Sequence, residues 1–115
     1  MEDQRRYVRI PENSQILYEI IPRKELREGS TRDISQGGLR FSIHQFIPKG
    51  SLLKIRVILH EAVFSFEAVV KLVWIRGLPF NEEYEVGVQF VDIPPHAVDY
   101  LITYIKVFLY NSKKR

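Results

Sequence analysis

The residues best suited to chemistry fall in two short clusters, Arg5-Arg6-Tyr7-Val8-Arg9 and Asp33-Ile34-Ser35-Gln36-Gly37-Gly38. The first sets three guanidinium groups within five residues. The second has the form D-x-S-x-x-G on what reads as a strand-to-turn corner. Arginine forks match guanine O6 and N7, or phosphate oxygens, in a bidentate way. An aspartate carboxylate accepts from guanine N1 and N2 donors, and glycine lets a flat base approach the backbone. Together these groups suit a compact guanine nucleotide with its phosphates.

Each group also has a plainer reading. Arg5, Arg6 and Arg9 would serve as a solubilising arm. Asp33 and Ser35 would cap a turn through local side-chain bonds, with Gly37 and Gly38 as a bulge pair. Trp74 would stack on a base, but its register on the apolar face of a strand makes it a core residue first. Arg40 alternates with Leu39 and Phe41, so it should point to solvent beside the turn.

Other chemistries find little support. The chain has no cysteine, which removes disulfides, thiol nucleophiles and thiolate metal sites. His44, His60 and His96 show no metal spacing and no nucleophile partner. Ser35 lacks a G-x-S-x-G elbow, and no glycine loop precedes a Lys-Ser/Thr pair. An enzyme is not expected, nor a metal or cofactor. With a formal charge of +3 and a pI near 9.3, the basic excess is too mild to argue nucleic acid alone. No apolar run approaches the length of a membrane span, and no apolar stretch follows the opening charges, so neither a membrane insertion nor a signal peptide is expected.

The elements that must position the two clusters are mostly strands. A length of 115 residues suits one domain. Residues 1–12 read as an irregular, flexible arm that carries the arginines. Gln15–Ile21 alternates imperfectly and ends at Pro22. Lys24–Gly29 reads as a charged connection, then Ser30–Ile34 and Leu39–Ile43 as strands joined by the Ser35–Gly38 turn. Leu52–Leu59 is β-branched and alternating, Val63–Ile75 a long strand with one continuously apolar face, and Tyr84–Val91 the last strand. Pro94-Pro95 stops it. Val98, Leu101, Ile102, Ile105, Phe108 and Leu109 then recur with helical period, giving a helix over 94–111. The expected fold is a small antiparallel β-barrel of about six strands over 13–93, with a C-terminal α-helix.

The two clusters, in this order and at this separation, resemble the PilZ domain, a bacterial receptor for cyclic di-GMP. The family's R-x-x-x-R is matched by Arg5 and Arg9, and its D/N-x-S-x-x-G by Asp33, Ser35 and Gly38. The resemblance continues through the strand-rich middle, the G-x-x-F look of Gly87-Val88-Gln89-Phe90 and the C-terminal helix. It implies that the arginine arm and the Asp-Ser-Gly corner clamp cyclic di-GMP between them. Arg5 and Arg9 would take phosphate and guanine contacts, with Arg6 as a third candidate. Asp33 and Ser35 would bond a guanine.

The length suits a stand-alone adaptor and the lack of cysteine agrees with a cytoplasmic place; by the same resemblance its partners are expected in motility, biofilm or exopolysaccharide control. Ligand would order the arm and change the surface shown to a protein partner. The rivals are a single-stranded nucleic-acid binder on a small barrel and a protein-interaction barrel without a nucleotide. A second helical stripe of Tyr100, Tyr104 and Val107 raises the expectation of a further partner, such as a second copy forming a homodimer.

Overall fold

A computed structural model of the chain describes residues 7–59, 64–80 and 82–113. Its elements are β1 (Arg9–Pro11), β2 (Gln15–Ile20), β3 (Arg27–Ser35), β4 (Gly38–Ile43), β5 (Leu52–Leu59), β6 (Phe64–Gly77), β7 (Tyr84–Asp92) and α1 (Pro95–Lys113). The strands pair antiparallel in the order β1-β3-β2-β5-β6-β7-β4, and β3 also pairs with β4. That second pairing closes six strands into a barrel. Closure leaves no long free edge.

β1 is the extra strand, and it lies on the edge of β3 that β2 leaves vacant. β2 takes Arg27–Ser30, and β1 takes Asp33–Ser35. Between them Glu12 N donates to Arg32 O and Thr31 N to Ser14 O, so the ladder runs on through the break. At residues 9–11 this differs from the irregular arm expected over 1–12, of which residues 1–6 lie outside the described residues. Residues 9–11 form a strand, because an unpaired stretch of β3 presents backbone groups that need partners. Arg27–Gly29, expected as a connection, belongs to β3 for the same reason.

Alternation builds the core. β5 reads exposed and buried in turn, with Leu53, Ile55, Val57 and Leu59 inside. Across four strands the inward rows are Ile34, Leu39, Val88 and Leu72, and Thr31, Phe41, Val86 and Ile75. Ala97, Leu101 and Ile105 of α1 join this core. The helix also turns Tyr100 and Tyr104 toward the barrel. Tyr100 stacks on Phe64 with ring centroids 3.8 Å apart, and Tyr104 donates to Glu12 Oε1 at 2.8 Å. Two of the three residues in the second stripe are therefore engaged within the chain. Among the described residues no helix is long and apolar enough to cross a membrane.

Of three breaks in register among the described strands, two set the phase of the outer surface beside the groove, the third lying where Val69 and Val70 face Asp92 and Phe90. One lies in β3 between Thr31 and Asp33, the other in β6 between Leu72 and Trp74. A bulge adds one residue to one strand, so alternation restarts beyond it. Arg32 and Val73 are the added residues. Past the second bulge Ile75 takes the inward place and Trp74 turns outward, 37% exposed. The expectation of Trp74 on the apolar inner face is thereby corrected.

Candidate ligand-binding groove

With the phase fixed, one outward row crosses four strands. Asp33 on β3 stands opposite Arg40 on β4, Arg40 opposite Gly87 on β7, and Gly87 opposite Trp74 on β6. Beside it Arg9 on β1 stands opposite Ser35. A strand row of this kind puts side chains from distant sequence positions within reach of one another. The row floors an open groove of about 920 Å³, polar at one end and aromatic at the other. Ile93 and Val98 line it from the start of the helix region.

At the polar end Asp33 is the junction. Arg9 Nη1 donates to Asp33 Oδ1 at 2.8 Å, and Arg40 Nη2 lies 2.7 Å from Asp33 Oδ2. Arg40 was expected to face solvent. It does lie on the outer face, but the carboxylate opposite holds it. Its Nη1 also lies 3.6 Å from Glu85 Oε2, and Arg76 donates twice to Glu85 Oε1, at 3.0 and 2.7 Å. Glu85 is only 6% exposed. Three arginines and two carboxylates thus alternate along one ladder, which keeps each buried charge paired. The Arg40 Nε is buried without a partner.

Ser35 serves its own turn. Its Oγ accepts from Gly37 N at 3.1 Å and donates to Gly38 O at 3.2 Å. A hydroxyl engaged this way is not an activated nucleophile, since no base takes its proton. Among the described residues no group of three or more His, Asp or Glu side chains is placed to hold a metal ion.

The glycines have neighbours already. A Cβ on Gly37 would stand 2.7 Å from Tyr7 Cδ2, so the tyrosine ring lies across the turn. A Cβ on Gly38 would run into the Val88 carbonyl oxygen. The close approach that Gly38 permits here is that of strand β7. At the other end Gly87 lets the Trp74 indole lie flat on the strand, because a Cβ there would collide with Nε1 and Cε2.

The structure therefore brings Arg9, Asp33, Ser35, Gly37, Gly38 and Trp74 around one groove. Arg5 and Arg6 lie outside the described residues. Tyr7, Arg40, Gly87, Gln89 and Phe90 also line the groove. A glycine inside an otherwise apolar strand marks a close approach, and that signal at Gly87 was available in the sequence.

The family model for the PilZ domain matches residues 3–106. No curated protein sequence gives a significant match. Among solved structures, the Bacillus subtilis inhibitor of motility MotI/DgrA superposes with a TM-score of 0.82 at 18% identity, over 96% of this chain and 53% of its own. Escherichia coli YcgR in complex with c-di-GMP gives 0.80 at 17%, over 97% and 49%. The K. pneumonia MrkH–c-di-GMP complex gives 0.75 at 20%, over 99% and 56%. The chain spans about half the length of these three proteins.

Proposed function

The chain belongs to the PilZ domain family, and on that premise we propose that it is a receptor for cyclic di-GMP. The observation that carries the reading is the row from Asp33 to Trp74. It sets a hydrogen-bonding end and a stacking face on one groove, beside the arginine of the R-x-x-x-R motif. Solved structures of similar fold, YcgR and MrkH, hold c-di-GMP.

The roles follow from the chemistry. Arg9, with Arg5 and Arg6 preceding it, takes phosphates and guanine N7 and O6. The Asp33 carboxylate accepts from guanine N1 and N2. Ser35 holds the turn that presents it and offers its hydroxyl to the base. Gly37 and Gly38 shape that turn. The Trp74 indole stacks on a purine, which typically contributes about 1–3 kcal/mol per base. One bidentate arginine–guanine pair adds roughly 1–3 kcal/mol. Micromolar affinity needs about 8 kcal/mol after association costs. No single contact reaches that figure, so the two ends of the groove act together.

Because Arg9 already pairs with Asp33, the ligand exchanges this contact for its own instead of ordering a wholly free segment. The exchange alters the β1 edge and, through the Glu12–Tyr104 bond, the helix. That altered surface is what a protein partner would read, in motility, biofilm or exopolysaccharide control. The role is that of a cytoplasmic adaptor and not of an enzyme.

Calorimetry with cyclic di-GMP tests the reading, with cyclic di-AMP and linear GMP as controls. Arg9→Ala and Asp33→Ala should each weaken binding by about 5- to 150-fold. Equal affinity for the adenine analogue would contradict the role given to Asp33. A steep fall in affinity with salt, spread over many phosphates, would point to a nucleic-acid strand instead.

A further inference from the structure

Both oxygens of Asp33 are taken. Arg9 holds Oδ1 and Arg40 holds Oδ2, at 2.8 and 2.7 Å. On the reading above, a guanine needs those same oxygens for its N1 and N2 donors. The inference that follows rests on that reading. Arg9 has somewhere to go, since a phosphate of the ligand would take it. Arg40 needs an acceptor on the protein, because its guanidinium is only partly exposed and its Nε is buried without a partner.

The structure supplies that acceptor. Glu85 Oε2 lies 3.6 Å from Arg40 Nη1, just beyond hydrogen-bond length. The other oxygen, Oε1, is clamped by Arg76 through two donors. The clamp leaves Oε2 facing Arg40. Ser42 stands opposite Glu85 on β4, two residues from Arg40, so the carboxylate and the guanidinium share the outer face of adjacent strands.

We propose that Glu85 is a positioning residue for ligand recognition, the carboxylate onto which Arg40 shifts when a guanine edge takes Asp33. Arg40 then keeps one anionic partner throughout, and no buried charge is left unpaired during the exchange. Glu85 does not touch the ligand. It acts by giving Arg40 a second place to rest, which makes the oxygens of Asp33 available. Arg76, mostly exposed, fixes the carboxylate in the orientation this requires.

Simple electrostatics gives the opposite sign. Removing a negative charge beside a ligand with two phosphates should tighten binding. The test is therefore a double-mutant cycle on the full chain, read by calorimetry with cyclic di-GMP at fixed salt. Glu85→Gln keeps the shape and removes the charge. It is expected to weaken binding by about tenfold, the loss of one charged hydrogen bond. In an Arg40→Met background the same substitution should change affinity by less than about twofold. Thermal melts confirm that each variant is folded. Glu85→Asp, which keeps the charge but draws it back by one methylene, is the second variant, with the same cancellation expected.

Tighter or unchanged binding by Glu85→Gln in the wild-type background overturns the proposal. So does an equal loss with and without Arg40, which would make Glu85 a support of the barrel and nothing more. Failure of the wild-type chain to bind cyclic di-GMP is a different result. It refutes the receptor reading and takes this inference with it.

Discussion

Gly87→Ala separates the packing of the groove from its chemistry. Gly87 has no left-handed backbone, so alanine meets no conformational strain there. The obstacle is the indole. A new Cβ would overlap Trp74 Nε1 and Cε2 and stand 2.9 Å from Cδ1. The indole is a side chain and can rotate away, while strands β6 and β7 keep their ladder. A tryptophan buries about 150–250 Å². With Trp74 already 37% exposed, full ejection would uncover on the order of 100–150 Å², or about 2.5–4 kcal/mol at 25 cal/mol per Å². A new rotamer retains part of that contact, so the expected loss is about 1–2 kcal/mol.

The chain has a single tryptophan, which makes it a clean probe. Emission should shift to the red and acrylamide quenching should rise. The urea midpoint should fall by about 0.5–1 M for a slope near 2 kcal/mol per M. Cyclic di-GMP affinity should fall about 5- to 150-fold, as for Trp74→Ala, since both remove the stacking face. Unchanged emission together with an unchanged midpoint would refute the packing of Trp74 on Gly87. A drop in stability without a drop in affinity would leave the packing intact and refute the stacking role.

Three further outcomes are expected. Gly38→Ala drives a Cβ into the Val88 carbonyl oxygen, a backbone atom that cannot rotate away, so chemical denaturation should show a loss of at least about 2 kcal/mol; a loss under about 0.5 would contradict the close approach of β4 and β7. Tyr104→Phe removes the hydroxyl that bonds Glu12, a mostly buried carboxylate, and should destabilise the chain by about 1–3 kcal/mol while leaving the helix packed on the barrel; equal urea midpoints would show that this bond contributes nothing. Burial raises the Tyr18 phenol above its ordinary 10.0, outweighing the Gln45 hydrogen bond and the Arg27 charge that lower it. The folded state thus holds this proton more tightly than the unfolded chain, so its contribution is complete below pH 10 and is lost as pH rises through the raised folded value. An ultraviolet titration should find a late tyrosine ionisation that coincides with loss of the fold, and Tyr18→Phe should abolish that step.

Periodicity made much of the barrel legible. Leu52–Leu59 alternates without interruption, and the strand begins and ends where the sequence places it. The helix was equally plain from its apolar period. What the sequence hid was non-local. Arg9–Pro11 is too short and charged to read as a strand, and it forms one because β3 leaves an edge open beside it. Arg27–Gly29 is exposed and polar, yet a ladder needs only backbone groups. Tyr100 and Tyr104 read as a second outward stripe, because helical period cannot show that Phe64 and Glu12 reach up to meet them.

The site divides along the same line. Reading Ser30–Ile34 and Leu39–Ile43 as strands joined by the Ser35–Gly38 turn placed the corner correctly. It also placed Arg40 on the outer face, but the partner that holds it there stands on the neighbouring strand. Trp74 was misplaced because unbroken alternation carries it inward, and a bulge at Val73 leaves no mark on hydropathy when both neighbours are apolar.

The two bulges explain how one small barrel serves two demands. A closed core requires Ile34 and Thr31 on β3, and Leu72 and Ile75 on β6, to point inward on either side of the groove. Strict alternation cannot meet that demand, because the residues of each pair are three apart and would fall on opposite faces. Inserting Arg32 in one flanking strand and Val73 in the other resets the phase twice. The inner rows stay continuous, and the outer row gains a carboxylate at one end and an indole at the other, with Arg40 and Gly87 between. Pairing either added residue into the ladder without its bulge would shift a whole strand segment to the opposite face, since strand side chains have a period of two. A deletion of Val73 should leave Leu72, Trp74 and Ile75 in plain alternation on the faces they now occupy, so Trp74 emission should stay near that of the wild type; an indole driven into the core would refute the bulge. The groove is thus a consequence of where the barrel breaks its own alternation, which ties the recognition chemistry to the register of β3 and β6.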